Sequence, residues 1–212
     1  MKIINLEKNI DSFQLKIECL DIEKGKIHAI KGHNGCGKTV LLKLIMGIMT
    51  PDSGRIEYEG LEKNQITLMS QRPYLLHENV YENLIYPLKI RGIVPDETKM
   101  DALLERVGLL HLKKQYARSL SSGERQKLSF LRGIVYDPEF VMMDETLSNL
   151  DPESEQQIIN VIKEIQETKP KTWLIVSHQI EQHPNFCDVI HTMEKGKYCG
   201  TVESGYHRRD FR

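Results

Sequence analysis

The chain has 212 residues, 40% of them apolar, with 29 basic and 30 acidic side chains. At roughly 100–200 residues per domain this is one domain with room for an insertion, and the apolar fraction excludes disorder as the main state. A formal charge of −1 excludes both a global basic field for nucleic acid and an acidic solvating tail.

The first eight residues carry charges where a secretory leader needs an apolar run, so none is expected there. Residues 14–19 alternate polar and apolar, the period of a half-buried strand. Residues 27–30 form a short apolar strand, and residues 41–46 read as a helix. The apolar stretch 40–49 is interrupted by Lys43 and is far short of the ~20 residues that cross a bilayer. Pro51-Asp52-Ser53-Gly54 is turn chemistry, with a strand expected over 55–58. Three more apolar runs, 66–69, 140–143 and 173–176, each end in polar residues. That is the pattern of buried parallel strands whose C-terminal ends carry a site. Between them, Met100, Leu103, Leu104 and Val107 recur at helical spacing, with Gly108 as the stop. Leu128, Leu131 and Val135 make a second stripe, and Ile158, Val161, Ile162 and Ile165 a third. Strands alternating with helices predict an α/β fold with a largely parallel sheet. The segment of about 72–118 reads as a helical insertion within one domain spanning 1–212.

Cys19, Cys36, Cys187 and Cys199 form no C-x-x-C pair, which argues against a disulfide framework or a zinc site and fits a reducing compartment. His178 and His183 are five apart, which puts them on different sides of a helix, so no metal site is expected there either.

Gly32-His33-Asn34-Gly35-Cys36-Gly37-Lys38-Thr39 matches G-x-x-x-x-G-K-[ST] between a predicted strand and a predicted helix that runs on through Val40. Glycines let the backbone wrap closely, so that successive N–H groups and the helix N-terminus face an anion. Lys38 is placed to reach β and γ phosphate oxygens, and the Thr39 hydroxyl to ligate Mg²⁺. The loop implies a nucleotide site and leaves kinase, GTPase and ATPase open. Asp144-Glu145 follows the apolar run 140–143. Two acids there are favourable if they are exposed at the sheet edge or bind a cation. Asp144 is the candidate Mg²⁺ ligand, and Glu145 the candidate group that orients or deprotonates water.

With those residues in place, the chain resembles the nucleotide-binding subunits of ATP-binding-cassette transporters over nearly its whole length. Leu120-Ser121-Ser122-Gly123-Glu124 stands where that family has its signature, usually L-S-G-G-Q, at the start of a helix expected over 125–136. Gln71 follows a strand as the family's Q-loop does, Ser148-Asn149-Leu150-Asp151 resembles its D-loop, and His178 its switch histidine. The resemblance implies a P-loop ATPase fold with an antiparallel β subdomain and a helical subdomain. It implies a Mg²⁺-dependent ATPase in which two subunits pack head to tail, each ATP lying between one phosphate loop and the other subunit's Ser121, Ser122, Gly123, Glu124 and Asp151. Gln71 would sense Mg²⁺ and water, and His178 would contact the γ-phosphate. Ser121 or Ser122 can equally be an N-cap, and Asp151-Pro152 a helix start. A separate transmembrane permease subunit is implied, with the ATPase peripheral on the cytoplasmic face of the membrane and no nucleic-acid partner. The alternative is a soluble ATPase of a cofactor-assembly machine.

Three departures stand out. Ser122 and Glu124 replace Gly and Gln; the donors at Ser121 and Gly123 are kept, so a working ATP sandwich is expected, with the extra carboxylate acting to weaken it. No aromatic occupies the usual place of the adenine stack, and Phe13, the only nearby ring, is read as core. Cys36 lies inside the phosphate loop, so a thiol reagent should block turnover and ATP should protect. Tyr74, Leu75, Leu76, Val80 and Tyr81 are expected to form the contact patch for the permease, the alternative being the core of a small helical lobe. The transported substance and the direction of transport are not encoded here.

Overall fold

The computed structural model describes residues 1–148, 150–177 and 186–203. Among the described residues nine strands form one mixed sheet in the order β4-β1-β2-β9-β8-β3-β7-β6-β5. Its antiparallel end holds β1 (Lys2–Ile10), β2 (Phe13–Asp21) and β4 (Ser53–Glu57). The parallel end holds β3 (Ile27–Lys31), β5 (Ile66–Met69), β6 (Phe140–Asp144), β7 (Thr172–Val176) and β8 (Val189–Glu194). β9 (Lys197–Glu203) joins the two ends, antiparallel to β8 and parallel to β2.

Side-chain alternation along the central strands divides the interior in two. Val141, Met143, Trp173 and Ile175 face one apolar cluster, while Phe140, Met142, Leu174 and Val176 face the other. Helix α1 (Lys38–Met46) supplies Leu41, Leu42, Leu44 and Ile45 to the second cluster. The first is covered by α4 (Ser122–Ile134) and α5 (Pro152–Thr168), and by α2 (Val80–Lys89) and α3 (Glu97–Arg106) beyond them. A strand buried on both faces must be apolar at every position, which is why β6 and β7 read as unbroken runs.

The elements differ from expectation in three places. α4 begins at Ser122 rather than 125, because Ser121 caps it and Glu124 closes a capping box. Residues 71–79 are not helical. Instead the buried Asn83 donates to the carbonyls of Leu76, Glu78 and Asn79 at 3.3, 3.3 and 2.9 Å, and accepts from Leu76 N–H at 2.8 Å, pinning that stretch against α2. Finally, β8 and β9 have no clear counterpart in the predicted elements. β8 alternates regularly but buries the polar His191 at one inward position, and the bulge that shifts the pairing between Thr192 and Met193 falls at Cys199 on β9.

Candidate functional site

The C-terminal ends of β3, β5 and β6 converge, and the polar residues that follow them line one cleft of about 450 Å³. Helix α1 starts at Lys38, with Gly37 before it at φ 105°. A Cβ at Gly37 would lie 2.8 Å from the Phe13 ring, so a side chain there is excluded both by conformation and by space. Gly32 is squeezed too, since a Cβ would meet the Met193 carbonyl oxygen at 2.3 Å. Lys38 is buried, and its Nζ donates to the carbonyls of Gly32 at 2.6 Å and His33 at 3.1 Å. The ammonium therefore lies against the loop that leads to it, with Asn34, Gly35 and Val40 also lining the cleft.

At the end of the loop, Thr39 Oγ1 donates to Asp144 Oδ1 at 3.2 Å. Asp144 and Glu145 are both buried. Burial pushes the Asp144 carboxyl above its ordinary range, and the adjacent Glu145 adds to this, while the Thr39 hydrogen bond opposes it. A hydroxyl and a desolvated carboxylate side by side are hard oxygen donors of the kind Mg²⁺ takes, so the residues present fit that ion. Glu145 has φ 50°, and its N–H donates to Val176 O at 2.9 Å. The left-handed backbone turns the chain sharply at the end of β6, and Ser148 Oγ donates to Glu145 Oε2. Gln71, beyond β5, lines the same cleft.

Two residues differ from the sequence expectation here. Cys36 is only 4% exposed, with its carbonyl accepting from Gly196 N–H at 3.1 Å; it braces the loop from behind and is absent from the cleft lining. Phe13 is half-buried and packs against the second apolar cluster, yet it also lines the cleft together with Ile10, so it is not purely core. Ile10 lies outside the candidate set, and the sequence marks Ser148 only as the start of the D-loop motif, with its contact to Glu145 unforeseen.

The signature residues sit elsewhere. Ser121, Ser122, Gly123, Glu124 and Asp151 line a second cleft of about 540 Å³, and none of them lines the first. The Ser121 Oγ accepts from Glu124 N–H at 3.3 Å, and Glu124 Oε2 accepts from Ser121 N–H at 2.7 Å. That backbone N–H holds the Glu124 carboxyl below its ordinary range. The carboxylate expected to intrude on the nucleotide is thus turned back onto its own helix. Asp151 caps α5, accepting from Ser154 N–H at 2.9 Å, which lowers its carboxyl as well. A Cβ on Gly123 would lie 3.7 Å from Asp151 Oδ2, so the signature and the D-loop carboxylate are neighbours within one chain. His178, His183 and Asn149 lie outside the described residues.

The expected permease patch is mostly interior. Leu75 and Val80 are buried, Leu76 and Tyr81 are half-buried, and of the five only Tyr74, 75% exposed, faces solvent. The exposed apolar residues nearby are instead Tyr86, Ile90, Ile93 and Val94, on the last turns of α2 and the loop after it. Among the described residues no helix is long and apolar enough to cross a membrane.

Comparison with known proteins shows the family and the fold. The family model described as "ABC transporter" matches residues 15–148. The tungstate uptake system ATP-binding protein TupC of Peptoclostridium acidaminophilum is 35% identical over 202 residues, 92% of this chain and 94% of that protein. The methionine import ATP-binding protein MetN 2 of Paraburkholderia xenovorans is 33% identical over 201 residues, 88% of this chain, which spans only 51% of that longer protein. Among solved structures, CbiO1 of Clostridium perfringens, part of the ABC transporter complex CbiONQ, superposes with a TM-score of 0.80 at 26% identity, covering 96% of this chain and 88% of that one.

Proposed function

The chain belongs to the ABC transporter family as an ATP-binding, ATP-hydrolysing subunit of a membrane transporter, and from that premise we propose how its residues do the work. The observation that carries the proposal is the convergence of Lys38, Thr39, Asp144 and Glu145 on a single cleft. The loop N–H groups and the α1 N-terminus bind the phosphates, and Lys38 leaves its two carbonyl partners for the β and γ oxygens. Thr39 and Asp144, with Gln71 beside them, hold Mg²⁺, which when bound neutralises charge on the transferring phosphoryl group. Glu145, steadied by Ser148, accepts the proton of the attacking water. His178 completes the γ-phosphate contacts. The adenine lies against Ile10 and Phe13 at the cleft rim.

The signature cleft lines up no residue with the phosphate-loop cleft of the same chain, and a second copy docked head to tail supplies what each lacks. ATP then closes two copies together and hydrolysis releases them. The permease subunit docks on the apolar end of α2, which places the ATPase on the cytoplasmic face of the membrane. The residues 72–118 act as one inserted lobe that carries this contact. The tungstate uptake and methionine import roles in the relatives' names support an importer, and a soluble cofactor-assembly role is not favoured.

Glu145→Gln tests the chemistry. The variant should bind ATP, lose about 10²–10⁴-fold in turnover, and accumulate as an ATP-bound dimer in gel filtration. Turnover at the parental rate would remove Glu145 from its role.

A further inference from the structure

Glu194 pairs with Lys197 at the end of the β8–β9 ladder, so Lys195 and Gly196 form a two-residue turn, with φ 44° and 80°. Positive φ at both positions is the type I′ geometry that matches the twist of a hairpin. Both backbone groups of Gly196 are bonded outside that hairpin. Its carbonyl accepts from Lys16 N–H on β2 at 2.7 Å, and its N–H donates to the Cys36 carbonyl, inside the phosphate loop, at 3.1 Å. The turn thus stands between β2 and the loop, and a Cβ on Gly196 would overlap the Gln14 carbonyl oxygen.

A trans peptide is planar, with its C=O and N–H directed oppositely. The Cys36 carbonyl points back to the turn, so the Gly37 N–H of the same peptide points forward. Burial agrees with this, because Cys36 is enclosed behind the loop while Gly37 lines the cleft. Among the described residues the Gly37 N–H has no acceptor. The same hairpin also meets the start of the loop, where the Met193 carbonyl lies against Gly32. Without these anchors an incoming anion would itself have to order the peptide, and part of its binding energy would go to that.

We infer that Gly196 is a positioning residue for the nucleotide, acting through the Cys36 carbonyl. Its N–H holds that carbonyl back and keeps the Gly37 N–H turned toward the phosphates. This rests on the phosphate-loop reading above. It adds a residue from the far end of the chain, outside the loop motif and outside the cleft lining.

The test uses a full chain assembled from recombinant residues 1–186 and a synthetic segment 187–212, ligated at the native Cys187. The recombinant part carries carbonyl-¹³C cysteine and ¹⁵N glycine. Within it Cys36 is the one cysteine followed by glycine, so the carbonyl-to-amide NMR correlation reports the Cys36–Gly37 peptide alone. One assembled chain keeps Gly196, and the other has an ester in place of its amide, which removes the donor and adds no bulk. With Mg²⁺ and ATP the Gly37 proton of the first should move downfield, as an amide bonded to phosphate does. In the ester chain it should move markedly less, and ATP should bind about three- to tenfold more weakly, the worth of one neutral hydrogen bond. Gly196→Ala in the labelled recombinant chain should weaken binding at least as much. There the Cys199–Gly200 peptide gives a second signal, from β9, that ATP should leave in place. The inference is overturned if the ester chain binds ATP like its parent. It is equally overturned if affinity falls while the Gly37 signal still moves as in the parent, because the hairpin then acts by another route. Both criteria apply to Gly196→Ala, so either protein decides the matter. If ATP leaves the Gly37 signal of the unmodified chain unmoved, it is the phosphate-loop reading that fails, and the inference falls with it.

Discussion

Single side chains divide into those whose chemistry is local and those whose chemistry is assembled. Lys38 and Thr39 owe their roles to a motif eight residues long, and the fold adds only the carbonyls that hold Lys38 in place. Glu145 is different. Its position depends on a left-handed backbone, on an N–H bonded to β7 and on the Ser148 hydroxyl, three constraints from separate parts of the chain. Ser148→Ala should therefore lower kcat about tenfold, the worth of one hydrogen bond to a carboxylate, with ATP affinity unchanged in equilibrium titration. Gly37→Ala should act the other way, weakening ATP binding through strain of about 1–3 kcal/mol and contact with Phe13, which a binding isotherm would report. Cys36, being enclosed, should react slowly with a thiol reagent, and more slowly still with ATP bound.

The helices show how local signals set element boundaries more sharply than periodicity does. The stripe Leu128, Leu131 and Val135 located α4, but the reciprocal bonds between Ser121 and Glu124 set its first turn. Ser121→Ala should lower the free energy of unfolding by about 0.5–2 kcal/mol, measurable in urea, and should also weaken ATP-driven pairing if the same hydroxyl serves the nucleotide. Asn83 carries a comparable load in the inserted lobe, where four hydrogen bonds hold residues 76–79 out of helix. Asn83→Ala leaves those backbone groups unsatisfied and should cost about 1–3 kcal/mol, with limited proteolysis cutting first near residues 72–79. The pattern of apolar residues there resembled helix because it counts which residues are buried and is blind to a side chain that competes for backbone bonds.

Across the fold, β3, β8 and β9 are tied together by a buried chain of hydrogen bonds. The Glu23 carbonyl can only accept, so the His28 Nε2 bonded to it at 3.0 Å carries the proton. His28 Nδ1 then accepts from His191 Nε2–H at 2.9 Å, and His191 Nδ1 accepts from the Tyr198 hydroxyl at 3.4 Å. Both rings are neutral, and burial, as the leading cause, holds His28 below its ordinary pKa and His191 at about 4. With Glu23, Lys26 and Asp188 as the surrounding charges, a proton added to His28 Nδ1 would set it against the His191 Nε2–H, and one added to His191 Nδ1 would require the Tyr198 hydroxyl to turn and accept. Because the folded values lie below the ordinary 6.5, the unfolded chain binds protons first. Stability should be full above that pH and fall as pH drops toward 4, by at most about 1.4 kcal/mol per pH unit for one proton. Urea midpoints between pH 7 and 5 check this, and replacing both histidines with valine should remove the slope. On the exposed apolar residues that follow α2, Ile90→Glu with Val94→Glu should preserve ATP binding and abolish co-purification with the permease. The sequence sufficed for the phosphate loop, the buried strands and the family, because each is written in contiguous residues whose spacing matches one local geometry. Folding alone revealed that the phosphate-loop residues and the signature line separate clefts and that Glu124 is spent on its own helix. These depend on which distant segments meet, and spacing along a chain carries no distance between its turns.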